Sequence, residues 1–477
     1  MHQLLQNDLA KIESLLETVK GESISYIESV NHVATSVQHP LEGITKYVWN
    51  ATGAMAAFNE FQKRYKSVIV ASSGPRYWGF VTGGSTPAAI MGDWLATVYD
   101  QNTQAIKGNG DNSALIELAT IQLLLELFGL PKTYLGGFVT GATMSNFTCL
   151  GVARQWIGKQ AGVDIAKDGV AAIPAIHVLS ATPHSSAIKC LAMLGLGSRN
   201  FTQIKTATGN REAIDINDLE EKIRILNGES FILISSAGTV NSGDFDDFVA
   251  IAALKLKYNF WWHVDAAFGA FAACSPLYKH LVSGWENADS ITADCHKWLN
   301  VPYESAVFLV KETYSNLQVE TYQNSNAPYL GNAFENFSYL NLLPENSRRL
   351  KALPAWFSLM AYGKEGYRSI VENNITLAKQ FGELVEASES LEQLVPVRFN
   401  IVSFTVKNLE QDGITTFLDR VNSRGKVFMT PTVYFGRKGI RAAFVNWRTT
   451  EADVQIAMQE MNEVLAGLQL NNSFKNA

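Results

Sequence analysis

Cysteine is scarce, with four in 477 residues (Cys149, Cys190, Cys274 and Cys295), and no pair is spaced as C-x-x-C. That excludes a disulfide-built scaffold and a cysteine-ligated metal site, so no metal is expected. The expectation is buried thiols in a reducing, cytoplasmic compartment. Excess charge of one sign is lacking too. The net charge of −6 is spread along the chain, leaving no basic stripe for nucleic acid and no acidic arm for a partner. No apolar run reaches the roughly 18 residues of a membrane span. The N-terminus lacks the basic and apolar regions of a secretory signal. What is present, 47% hydrophobic and 18% charged residues, suits a globular protein with enough chain for two or three domains.

Near the start, Leu5, Leu9, Ile12, Leu16 and Val19 step by four and three, which predicts an amphipathic helix from Asn7 to Lys20, stopped by Gly21. Its apolar face is expected to pack on the main domain or on a second subunit. From about residue 80 to 310, short apolar runs alternate with helical stretches. The runs are Tyr134–Thr140, Ala175–Ser180, Ser230–Ser235, Phe260–Asp265, Asp289–Ala293 and Ala306–Val310. This alternation predicts an α/β domain with a mostly parallel sheet, whose ligands bind beyond the C-terminal ends of the strands. The Asn- and aromatic-rich stretch Tyr314–Pro344 is long for a connection and reads as a lid or binding loop. A helix over Leu353–Tyr367 and a smaller α/β tail follow.

Four features converge on that strand-end rim. The run Phe260-Trp261-Trp262-His263-Val264 ends in Asp265, a carboxylate that is costly to bury without a partner. One strand–helix–strand unit later, "DSITADCHKWLN" ends a strand in His296-Lys297. "VTGATMSNFTCLGVAR" passes from a strand through Gly141-Ala142-Thr143 into a helix, a turn that suits a phosphate. "SATPHSSAIKCLAML" sets His184 between a strand and a helix. Singly, these have plainer readings: a surface lysine, an ordinary turn, a structural histidine. Together they make the set that pyridoxal phosphate requires, in which a lysine forms the Schiff base and a carboxylate keeps the pyridine nitrogen protonated.

The segments "VTGATMSN", "PHSSAIKC", "GTVNSGDFDD", "HVDAAFGAF" and "DSITADCHKWLN", in this order and spacing, resemble the group II pyridoxal-phosphate-dependent amino-acid decarboxylases over about residues 40 to 450. The resemblance implies the aminotransferase-like fold, fold type I: an N-terminal helical segment (1–75), a large cofactor domain with a mostly parallel sheet (76–350) and a small C-terminal α/β domain (351–477). It also implies a homodimer with the active site at the two-fold interface.

On this resemblance Lys297 would carry the cofactor and Asp265 would pair with its pyridinium. His184 would stack on the ring, with Ala267 on the other face. Ala142, Thr143 and His296 would hold the phosphate. Val240 stands where many relatives have a threonine, which leaves Thr239 to serve the cofactor. Asp294 stands where the animal aromatic enzymes have Asn. Thr82 would line the substrate pocket. Tyr339 aligns with the flexible-loop tyrosine that protonates the substrate carbon, with His184 as the alternative donor.

The implied activity is decarboxylation of an L-amino acid to the amine and carbon dioxide. Trp78 and Phe80, beside Thr82, favour an aromatic substrate if they form a pocket wall; core packing is the other reading of the pair. Glutamate or diaminobutyrate decarboxylation, oxidative deamination or carbon–carbon lyase chemistry, and a catalytically idle cofactor-binding protein are the alternatives.

Overall fold

The six apolar runs become strands because helices cover both of their faces, which suits near-continuous hydrophobic sequence. A computed structural model describes residues 1–37, 51–106, 110–323 and 337–475. In chain order the strands of the first sheet are β1 (Tyr134–Val139), β2 (His177–Ser180), β3 (Thr202–Gln203), β4 (Phe231–Ser236), β5 (Phe260–Asp265), β6 (Ser290–Asp294) and β7 (Ala306–Lys311). Their spatial order is β1-β7-β6-β5-β4-β2-β3, and β7 runs antiparallel to both β1 and β6.

Every residue of β4 and β5 is buried. Alternation along β5 divides its side chains between two cores. Trp262 and Val264 join one, with Leu233 and Ile291. Trp261 joins the other, beneath the helix Ala142–Gln160, with Cys149, Leu150 and Val152. The same period puts His263 and Asp265 on the Trp261 face.

The second sheet comprises β8 (Leu391–Gln393), β9 (Ile401–Val406), β10 (Thr430–Tyr434) and β11 (Arg437–Ala443), all antiparallel in the order β10-β11-β9-β8. The helix expected over Leu353–Tyr367 runs from Ala352 to Ala387, with a break at Gly363, where φ is 56°. Ala355, Leu359 and Val371 lie in the core of the first sheet, whereas Phe381 and Val385 lie in that of the second. One helix therefore joins the two.

The N-terminal prediction differs in detail. Two helices, Gln3–Ala10 and Ile12–Ser29, meet at Lys11, and the second runs straight through Gly21. A glycine costs a helix interior only about 1 kcal/mol, too little to end one that is otherwise continuous. Leu5, Leu9, Ile12, Leu16 and Val19 are exposed on these helices. The stretch Tyr314–Pro344 is partly helical, over Ser315–Tyr322. The middle of the expected lid, 324–336, lies outside the described residues.

Candidate active site

Beyond the C-terminal ends of β4 and β5 lies a cavity of about 580 Å³, lined among others by Phe80, His184, Thr239, Asp265, Ala267, Phe268, Lys297 and Arg441. A larger one, about 820 Å³, is lined by Gly243–Asp247 of the GTVNSGDFDD segment but by none of the candidate site residues, and its Arg211 is already paired with Asp244.

Asp265 ends β5 with its carboxylate buried. Oδ2 accepts from Asn146 Nδ2 at 2.9 Å, and Oδ1 accepts from the Ala267 amide at 3.2 Å. Among the described residues no cation lies within ion-pair distance of it. A buried carboxylate supported only by neutral donors favours a cationic ligand. Lys297, on the short helix Cys295–Trp298 that follows β6, reaches into the same cavity and pairs with Asp294 Oδ2 at 2.8 Å. Among the described residues Asp294 Oδ1 is buried without a hydrogen-bond partner.

His184 caps the helix Ser185–Met193. Its Nδ1 accepts from the Ser186 amide at 3.2 Å and lies 2.7 Å from the Ser186 hydroxyl. A neutral ring held this way carries its proton on Nε2. Solvent reaches the ring through the cavity, yet surrounding protein holds its pKa below the ordinary imidazole value, with nearby Asp265 pulling the other way. His296 is similar: Nδ1 accepts from the Ser305 amide at 3.1 Å, and burial lowers its pKa against the pull of Asp294. Tyr303 stacks on this ring at 4.3 Å.

The helix Ala142–Gln160 begins at Gly141 with no side-chain cap. A Cβ built on Gly141 would stand 3.4 Å from His296 Cε1, so the free amides around Ala142 and Thr143 open beside an imidazole. That pairing suits a phosphate, although neither residue lines the cavity itself. An amine, a buried carboxylate without a cation and an uncapped helix start beside a histidine match pyridoxal phosphate at its aldehyde, its ring nitrogen and its phosphate. Thr239 lines the cavity, but its hydroxyl is engaged within its own loop, accepting from the Asp244 amide and lying 2.8 Å from Ser242 Oγ.

Three sequence expectations change. Trp78 is not a pocket wall. It is 1% exposed, packs between Phe381 and Phe444 in the core of the second sheet, and donates from Nε1 to the Pro75 carbonyl. Thr82 does not line the cavity; its hydroxyl donates to the Gly79 carbonyl at 3.2 Å and lies 3.3 Å from the Tyr303 hydroxyl. Tyr339 is not on a mobile loop. It is fully buried under β1, donates to the Gly136 carbonyl at 3.1 Å and stacks beneath Arg348, which forms a buried ion pair with Glu117. A phenol confined there cannot reach the cavity.

Phe80 does line the cavity mouth, 61% exposed. It and Val81 adopt left-handed backbone with φ of 56° and 60°, strain that a β-branched residue rarely accepts and that clusters at functional sites. Asn146, His263, Phe268 and Glu212 escaped the sequence reading. His263 had a signal: it sits two residues before Asp265 and so shares its face of β5.

The family described as the Pyridoxal-dependent decarboxylase conserved domain matches residues 51–407. The chain is 29% identical over 402 residues to the aromatic-L-amino-acid decarboxylase of Bacillus atrophaeus, covering 81% of this chain and 80% of that one. It is 28% identical over 356 residues to the L-2,4-diaminobutyrate decarboxylase of Acinetobacter baumannii, covering 70% and 68%. The crystal structure of Oryza sativa TDC with PLP and tryptamine superposes with a TM-score of 0.87 at 20% identity, covering 96% of this chain and 98% of that one.

Proposed function

The chain belongs to the pyridoxal-dependent decarboxylases, and from that premise we propose that its substrate is an aromatic L-amino acid. It is a pyridoxal-phosphate-dependent carboxy-lyase that converts an amino acid to its amine and carbon dioxide. Deaminase, carbon–carbon lyase and idle-scaffold readings give way to this one. When bound, the cofactor supplies an electron sink for the bond that loses carbon dioxide.

The chain's own residues divide the remaining work. Lys297 offers the amine that holds the cofactor. Asp265 would keep a positive charge at the ring nitrogen. Ala142 and Thr143, with His296, would hold the phosphate, while Ala267 and His184 would flank the ring. His184, whose Nε2 carries the proton, takes over from Tyr339 as the donor to the substrate carbon. Arg441 is the handle for a substrate carboxylate: it lines the cavity, and among the described residues it donates only to the Val240 carbonyl at 3.3 Å and leaves its buried Nε unpartnered.

The observation carrying the aromatic reading is the pair of phenyl rings, Phe80 at the mouth and Phe268 within, on one cavity. Phe268 lies under Lys297, its ring centre 6.0 Å from Nζ. A second reading has support from Glu212, whose carboxylate accepts from Asn241 and Ser242 and which lines the same cavity. A basic side chain such as that of diaminobutyrate would find its counter-charge there. Measuring amines released from a panel of L-amino acids separates them. Preference for phenylalanine, tyrosine or tryptophan is expected; preference for diaminobutyrate or glutamate overturns it.

We also propose a homodimer in a reducing, cytoplasmic setting, with no nucleic-acid partner. Exposed Met91, Trp94 and Val98 on the helix Pro87–Tyr99, together with the uncovered N-terminal leucines, favour a second copy over solvent. The cysteines are unpaired. No helix among the described residues is long and apolar enough to cross a membrane. Sedimentation should give twice the chain mass at micromolar concentration, and a monomer there contradicts the proposal.

A further inference from the structure

Trp261, His263 and Asp265 alternate along β5 and so point to one face, where the helix Ala142–Gln160 lies over them. A continuous hydrogen-bond chain joins them through neighbouring residues. Trp261 Nε1 lies 2.9 Å from Ser290 Oγ, and Ser290 Oγ lies 2.9 Å from His263 Nδ1. His263 Nε2 lies 2.9 Å from Asn146 Oδ1. Asn146 Nδ2 reaches Asp265 Oδ2 at 2.9 Å and Ser186 Oγ at 3.2 Å, and Ser186 Oγ meets His184 Nδ1 at 2.7 Å.

The direction of every proton in this chain follows from its last member. An ionised Asp265 carboxylate can only accept, so Asn146 turns its NH₂ toward Asp265 and its Oδ1 toward His263 Nε2, which donates. A neutral His263 then accepts at Nδ1 from the Ser290 hydroxyl, which itself accepts from the Trp261 indole N–H. The carboxylate thus fixes which end of the Asn146 amide faces which way. Flipped, the amide would set its oxygen against the Asp265 carboxylate and its NH₂ against the His263 N–H. Held, its two hydrogens go one to Asp265 and one to Ser186, whose hydroxyl turns to His184. Trp261, Ser290, His263 and Asn146 are each fully buried, so water does not compete for these bonds. Burial also holds the His263 pKa down at about 4, against the opposing pull of Asp265, which keeps the ring neutral as the chain requires.

We propose that Asn146 is the hub of a proton-ordered chain running from Trp261, a positioning residue that sets the Asp265 carboxylate and the His184 ring together on the two sides of the cofactor site. The inference rests on the reading of Asp265 as the partner of the cofactor ring nitrogen.

The test uses the full chain reconstituted with pyridoxal phosphate. Asn146→Leu, His263→Leu, His263→Gln and Asp265→Asn are compared with the parent by cofactor dissociation constant and by the visible circular dichroism of the bound cofactor, which reports how the ring is seated. Loss of supporting bonds around a liganding group typically weakens binding on the order of 10-fold, and that loss, with an altered dichroic band, is expected for Asn146→Leu and His263→Leu. His263→Gln still offers an N–H to Asn146 and should return affinity and band close to the parent, a rescue that packing alone would not produce. Parent-like affinity and dichroism in both leucine variants overturns the inference, as does a glutamine variant no better than the leucine one. Should Asn146→Leu fail to fold, Ser290→Ala, which deletes one oxygen upstream, carries the same expectation. Asp265→Asn keeps the two levels apart. If it binds cofactor like the parent, the reading of Asp265 falls; if it weakens binding while the other variants do not, only the chain does.

Discussion

The Tyr339 phenol donates to the Gly136 carbonyl inside the core beneath β1, which ties its value to stability. Tyr339→Phe should cost about 1 kcal/mol, the usual worth of a buried hydrogen bond, seen as a lower Tm, with amine output unchanged. Aldehyde release by that variant would return the residue to the reaction. His263 gives a pH signature. Its pKa falls from 6.5 to about 4 on folding, so between those values the unfolded chain binds the extra proton. Its contribution to stability is therefore complete above pH 6.5 and drains away as pH falls toward 4, by an amount on the order of 3 kcal/mol. Melting the parent and His263→Gln from pH 7 to 5 should show the variant losing less; parallel curves would contradict the assignment. Asp265 and Lys297 were legible because a carboxylate and an amine at strand ends are chemically conspicuous. Asn146 was not, since a helix asparagine gains meaning only from what β5 places beneath it. Tyr339 misled because alignment gives a position in the chain, while burial decides what a phenol can reach.

At the scale of elements, the segment from Phe80 to Ser85 seals the site by backbone contact. The Gly83 amide donates to the His296 carbonyl at 3.3 Å, and a Cβ at Gly83 would collide with the Lys297 carbonyl. Backbone on both sides leaves no flexible partner to yield. Gly83→Ala should therefore lift the segment off the lysine helix and weaken cofactor binding, read by equilibrium dialysis; parent-like binding would mean that the segment does not seal the site. The six runs read as strands did form strands because apolar sequence between turn signals has few other ways to be buried. The direction of β7 was not legible, since an antiparallel and a parallel buried strand have the same composition. Nor was the two-residue strand β3, which is exposed along its length and carries no apolar signal.

For the whole molecule, the decisive link is between a strand-end constellation and a reaction. The two cores meet along the helix Ala352–Ala387, and the cavity gathers residues from both halves, with Lys297 after β6 and Arg441 on β11. That composite origin explains why the sequence pointed to the cofactor more firmly than to the substrate. The cofactor residues lie in recognisable strand-end motifs, whereas the substrate wall is assembled from distant segments, and Trp78, the neighbour expected to share it with Phe80, turned into the core. Lysine-dependent decarboxylation is tested by following labelled carbon dioxide and amine from carboxyl-labelled aromatic L-amino acids, using the reconstituted parent and Lys297→Ala. Equal amounts of the two products are expected from the parent and neither from the variant; carbon dioxide from Lys297→Ala at the parent's rate would overturn a lysine-dependent reaction.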